Sequence, residues 1–201
     1  MNLAQASEAL VAAGRTIDGR GWVPATSGNF SVRLDDGDLA ITASGRHKGQ
    51  LTVDDIMRVD LAGESPEGRR PSAETGLHTQ LYRRDPKIGT VLHTHSLGAT
   101  VASMHHRSPL RFEGLEILKA FTGITTHEVA VDIPIFANDQ RIDRLAEAVD
   151  RHMDEAGIGV AYLIAGHGLY TWAPDLPTCL RHLEALEYLF DYLRCSPTEA
   201  T

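Results

Sequence analysis

Apolar and polar positions alternate along this chain with two periods, one helical and one extended, and the two take turns. The opening MNLAQASEALVAAGR predicts an amphipathic helix over residues 3–18. GWVPATSGNFSVRL then runs through a turn into a strand at about 28–34, and the DDGD turn at 35–38 returns the chain through LAITAS, a hairpin signal. TVDDIMRVD predicts a short helix, with Thr52 as N-cap and Asp55 placed as in a capping box. The stretch 61–71 is the most loop-like interior segment, and Ser72 after it stands as N-cap for the helix AETGLHTQLYRRD. A strand at 89–95 is followed by a helix near 97–105 and by a second short helix over 112–121. VDIPIF predicts a strand, and Asn138 opens a helix running to about Ala156.

VAYLIAGHGLYTWA, 160–173, predicts two apolar strands around a Gly-His-Gly corner. The last helix, about 175–194, repeats Leu176, Leu180, Leu183, Leu186 and Phe190 near the helical period, and 196–201 is a frayed tail. Strands and helices alternate, with at least two hairpins and no low-complexity linker. The expectation is a single α/β domain over 1–201, a three-layer α/β/α fold whose sheet is not purely parallel.

Composition narrows the partners. With 201 residues, a formal net charge of −8 and a pI of about 5.6, the chain offers no basic face for nucleic acid, so an anion would need a local site. Hydrophobic and charged contents of 42% and 23% are ordinary for a soluble domain, and no apolar run is long enough to span a membrane. The N-terminus lacks the basic-then-apolar order of a signal peptide. Cys179 and Cys195 fall on one predicted helix, roughly 24 Å apart at its rise per residue, which reads as two free thiols in a reducing cytoplasm.

The candidate chemistry starts in VLHTHSLGAT. On a strand, His93 and His95 face the same side, about 6–7 Å apart along the chain, where two imidazoles can share a metal. Two solvent-facing or satisfied histidines would fit the same spacing, so a third ligand is needed. His167 supplies a candidate at the GHG corner, giving a three-histidine site with open positions, the arrangement of a catalytic metal. Zinc is the first choice, with iron, cobalt or manganese as alternatives. His105, His106, His127, His152 and His182 read as surface or core residues, while His78 stands at helical spacing from Glu74. Two glycine turns, TSGNFS (Gly28, Asn29, Ser31) and TASGRHKG (Ser44, Gly45, Lys48), together with Ser72 at a helix start, offer neutral donors for a phosphate.

GNFS, ASG, PSAE, HTH and GHG, in this order, resemble the class II aldolase family of zinc-dependent fuculose- and ribulose-phosphate enzymes, over nearly the whole chain. The resemblance implies a central, largely antiparallel sheet between helical layers, one zinc ion per subunit, and a homotetramer with active sites at subunit contacts. SGRHKGQL, PSAETGLHTQLY, LEILKAFTGITTHE and DIPIFANDQ are similar to a dehydratase branch of the family. Its substrate, in methionine salvage, is a ketose 1-phosphate with a methylthio group at the far end. By that match Glu116 is the catalytic acid/base and His93, His95 and His167 hold zinc, while Glu74 matches the acid/base of the aldolases. Both glutamates are present, and Ala73 stands where several aldolases carry a second serine, so cleavage of another sugar phosphate such as fuculose 1-phosphate is the alternative. Phe112, Leu115 and Phe121 are apolar residues for the methylthio tail or for the core.

Overall fold

The computed structural model describes residues 1–195; the expected tail at 196–201 lies outside the described residues. Helix α1 (Leu3–Gly19) leads to strand β1 (Asn29–Arg33), whose hairpin partner is β2 (Leu39–Thr42). β3 (Ile56–Val59), α2 (Thr75–Arg84), β4 (Thr90–Thr94) and α3 (Leu97–His105) follow. A two-stranded ribbon, β5 (Leu110–Glu113) and β6 (Ala130–Ile133), lies apart from the main sheet. Then come β7 (Ile135–Phe136), α4 (Ile142–Ala156), β8 (Ala161–Ile164), β9 (Gly168–Ala173) and α5 (Leu176–Cys195).

The main sheet has seven strands in the order β3-β2-β1-β4-β9-β8-β7. All neighbours pair antiparallel except β7 and β8, which are parallel. Two apolar cores cover its faces. Leu10, Ala99, Ala102, Leu183 and Leu186 of α1, α3 and α5 pack on Phe30, Val32 and Leu92. Leu77, Leu81, Leu145 and Val149 of α2 and α4 pack on Ile41, Val91, Tyr170 and Trp172. Burying each such leucine contributes roughly 1.5–3 kcal/mol. The alternation of Val91 and Leu92 between the two cores puts His93, at the same parity as Val91, on the face that α2 covers.

Several boundaries differ from the sequence expectation. The capping box at Thr52 and Asp55 is formed, but the helix stops after the 3-10 turn Val53–Asp55, and Ile56–Val59 extends as an edge strand against β2. Helix α2 starts at Thr75, after a turn in which the Glu74 N–H donates to the Ser72 hydroxyl at 3.3 Å, so Ser72 precedes the cap position rather than filling it. Phe112 belongs to β5, and the 3-10 turn begins only at Glu116. Pro134 cannot donate to a ladder and splits VDIPIF into β6 and β7, which join different sheets. Arg141, not Asn138, occupies the N-cap position of α4.

Phe112 and Phe121 are buried in the core, with Leu115 packed against it. Cys179 is buried and Cys195 exposed, both as free thiols. Among the described residues no helix is long and apolar enough to cross a membrane.

Candidate metal centre

One end of the sheet gathers the start of β1, the end of β4 and the corner between β8 and β9. Asn29 pairs across from His93, and His93 across from Tyr170. The corner after β8 turns at Gly166, whose φ of 63° is left-handed, and the His167 N–H donates to the Ile164 carbonyl at 3.0 Å. This aims His167 back over the end of β4. From the covering layer, the residue just before α2 contributes Glu74.

The four side chains converge. Ligand atoms of Glu74, His93, His95 and His167 all lie within 4.8 Å of one another. His95 Nε2 is 2.8 Å from His93 Nε2, Glu74 Oε2 is 3.3 Å from His93 Nε2, and Glu74 Oε1 is 3.0 Å from His167 Nε2. His93 is fully buried, stacked on Tyr170 with ring centroids 4.1 Å apart. Its Nδ1 donates to the Leu169 carbonyl at 2.9 Å, which fixes the neutral tautomer and leaves Nε2 as a bare lone pair facing the cluster.

Charge follows from this burial. Desolvation pushes the His93 pKa well below its ordinary value, with the other two histidines adding to the effect and Glu74 opposing it. Burial likewise brings His95 down to about 4, helped by His167. For Glu74, burial works upward, but the hydrogen bond from His167, the electrostatic pull of the adjacent His93 ring and the Asn29 amide outweigh it and hold the carboxyl well below the usual range. Three imidazoles and one carboxylate, pointed at a common centre, fit a divalent cation: three nitrogens and one oxygen are a zinc-type donor set. The Leu169 carbonyl behind His93 is the outer partner such a ligand needs.

The predicted phosphate residues divide. Asn29 is buried beside the centre, its amide donating to Glu74 Oε2 at 2.6 Å and lying 3.4 Å from the Ser72 hydroxyl. Gly28 precedes it in the turn. Ser44 and Gly45 form an exposed turn at the end of β2. Lys48, on the 3-10 turn Lys48–Gln50, is 1% exposed; its ammonium donates to the carbonyls of Thr26 and Arg46 at 3.0 and 2.6 Å. Burial lowers it to about 8, against the pull of Glu74. Glu116 is not among the gathered donors. It is 70% exposed on its 3-10 turn, paired with Lys119 and lying 3.6 Å from His127.

Sequence reading missed Tyr170, which stacks under His93. His78, singled out by its spacing from Glu74, sits fully buried behind Asn29.

Residues 8–193 match the class II aldolase and adducin N-terminal domain. The chain belongs to this family. A relative from Methylococcus capsulatus named methylthioribulose-1-phosphate dehydratase is 56% identical over 182 residues, covering 90% of this chain and 89% of that protein. One of the same name from Pseudomonas paraeruginosa is 53% identical over 192 residues, 94% of each chain. Among solved structures, the L-fuculose-1-phosphate aldolase of Thermus thermophilus superposes with a TM-score of 0.76 at 29% identity, covering 96% of this chain and 95% of that one. YgbL of Escherichia coli, at 23% identity and a TM-score of 0.83 over 98% and 92% of the chains, shares the fold. The three-layer architecture with its largely antiparallel sheet is thus shared with these solved structures, and in this chain's own geometry the HTH and GHG histidines converge.

Proposed function

We propose that this chain dehydrates 5-methylthioribulose 1-phosphate to 5-methylthio-2,3-diketopentyl 1-phosphate, as a hydro-lyase of methionine salvage. The observation that carries this reading is the identity above 50%, over nearly the full length, to several relatives named for that reaction. The gathered donors support it.

In this reading His93, His95 and His167 would hold one zinc ion, with the Glu74 carboxylate beside them as a further donor. Bound there, zinc would supply Lewis acidity toward the substrate's carbonyl, which would make the adjacent C3 proton removable. Glu116 takes that proton and returns one to the departing C4 hydroxyl, so that a single carboxyl serves as base and then acid. The enol left behind tautomerises to the 2,3-diketone. Gly28, Asn29, Ser44, Gly45 and Ser72 bind the phosphate, and Lys48 adds a positive charge behind the turn. The exposure of Glu116 supports a site completed in a homotetramer, as do the exposed apolar side chains Leu97 and Met104 on α3 and Tyr188 on α5.

The aldolase alternative has one observation in its favour: Glu74, not Glu116, stands at the cluster. The deciding experiment incubates zinc-loaded protein with methylthioribulose 1-phosphate and reads the products by mass. A product lighter by one water is expected. Dihydroxyacetone phosphate in its place would mean carbon–carbon cleavage and would overturn the dehydratase reading.

A further inference from the structure

Behind Glu74 a line of buried polar groups runs into the layer between the sheet and α2, and its hydrogen-bond directions are fixed from one end. The Asn29 side-chain nitrogen, which only donates, lies 2.6 Å from Glu74 Oε2 and donates to it. The Asn29 carbonyl oxygen therefore faces inward, where it meets His78 Nε2. An amide oxygen also only accepts, so Nε2 carries the ring's proton. Nδ1 of the neutral ring is then bare and accepts from the Ser31 hydroxyl at 2.7 Å. Ser31 in turn accepts from the Tyr82 hydroxyl at 2.9 Å. Asn29, Ser31, His78 and Tyr82 are all buried, so water does not compete for these bonds.

We propose that His78 is a positioning residue of the metal centre: its Nε2–H locks the Asn29 amide, and that amide holds the Glu74 carboxylate against His93 and His167. The inference rests on reading the four gathered side chains as a metal site. Packing explains a ring at this position, since His78 meets Tyr170 edge-on with centroids 5.6 Å apart. Packing does not explain why both ring nitrogens are bonded in register with the amide. Without the Nε2 donor, the Asn29 amide is free to turn its oxygen toward Glu74, replacing attraction by repulsion at the carboxylate.

The test is cobalt(II) titration of the metal-free full chain, without substrate, reading affinity and the visible ligand-field spectrum. His78→Phe keeps the ring volume and removes both nitrogens; it should weaken binding roughly tenfold or more and alter the spectrum, the usual scale for loss of an outer partner. His78→Gln places an amide donor where Nε2–H stood and should restore most of both. Ser31→Ala frees the ring tautomer without touching the ring, and should give a smaller loss in the same direction. Unchanged affinity and spectrum in His78→Phe would overturn the proposal, as would His78→Gln falling equally far. If His78→Phe does not fold, wild-type affinity in Ser31→Ala overturns it instead. Wild-type protein that binds no cobalt refutes the metal centre and this inference together, whereas cobalt binding without a dehydrated product would sink only the assigned reaction.

Discussion

Gly168 opens β9 immediately after His167, and replacing it with alanine is the most direct test of how tightly the centre is built. A Cβ at this position would stand 2.2 Å from the Thr94 carbonyl oxygen, 3.1 Å from His93 Cε1 and 3.2 Å from His95 Cδ2. Gly168 is not among the glycines with positive φ, so the cost is contact rather than backbone strain. Ordinary contact begins at 3.4 Å, so the two backbones must part by 3.4 − 2.2 = 1.2 Å. Thr94 lies between His93 and His95 and pairs with Leu169, so that movement carries both rings away from His167. Overpacking of this kind costs about 1–3 kcal/mol. In a chain of this size each kcal/mol moves Tm by roughly 2–4 °C, so Gly168→Ala should lower it by about 2–12 °C. Melting followed by circular dichroism, in chelator and in saturating zinc, is the assay, with zinc affinity measured by competition. The loss should be larger in zinc than in chelator, because the variant also forfeits the stabilisation that bound metal gives. A Tm within about 1 °C of wild type in both conditions, with unchanged affinity, would refute the close-approach argument.

Glu116→Gln should leave zinc affinity intact and cut kcat by roughly 10²–10⁴-fold, the range for a lost general acid/base; near-normal turnover would transfer the role to Glu74. Ser44→Asp should raise KM roughly tenfold, equivalent to about 1.4 kcal/mol of repulsion against the phosphate, and an unchanged KM would place the phosphate elsewhere. Glu187 on α5 is buried, which lifts its pKa to about 7 from 4.5, with Asp191 adding to the rise and a hydrogen bond with Ser96 opposing it. An acid raised in the folded state binds more protons folded than unfolded between these values, so its protonated form supports folding fully below 4.5 and that support is lost as pH rises through 7. Glu187→Gln should therefore melt higher than wild type at pH 8 and level with it at pH 4.5 or below; an equal difference at both pH values would contradict this.

Much of the site was legible because its signals are local. His93 and His95 share a face by strand parity alone, the corner glycines announce a turn, and Leu97–His105 is bounded as the sequence predicts. What stayed hidden depends on partners far along the chain. Lys48 reads as a phosphate-binding residue of a glycine turn, and nothing local shows that the carbonyls of Thr26 and Arg46 take its ammonium into the interior. Ile56–Val59 reads as a continuation of a capped helix, and only the free edge of β2 draws it into a strand. Ser72 looks like a helix cap because nothing local shows Glu74 being held back by Asn29 to face the histidines. Glu116 illustrates the reverse: a family match assigns it a role, while in the single chain its neighbours are Lys119 and His127.

The strand order also dictates when the centre can exist. Glu74 and His167 are separated by 167 − 74 = 93 residues, and β9 enters the sheet directly beside β4, after α3, the β5–β6 ribbon, α4 and β8 have been threaded in between. No early folding intermediate that lacks β9 can present all four donors, so metal capture belongs to the end of assembly, when the long loop is already closed. Once held, an ion ties α2's entry, β4 and the β8–β9 corner into one cross-linked unit. Free metal at 100 times its dissociation constant would add about 2.7 kcal/mol to global stability through mass action alone. Metal supply would then bear on the stability of the folded chain as well as on its activity.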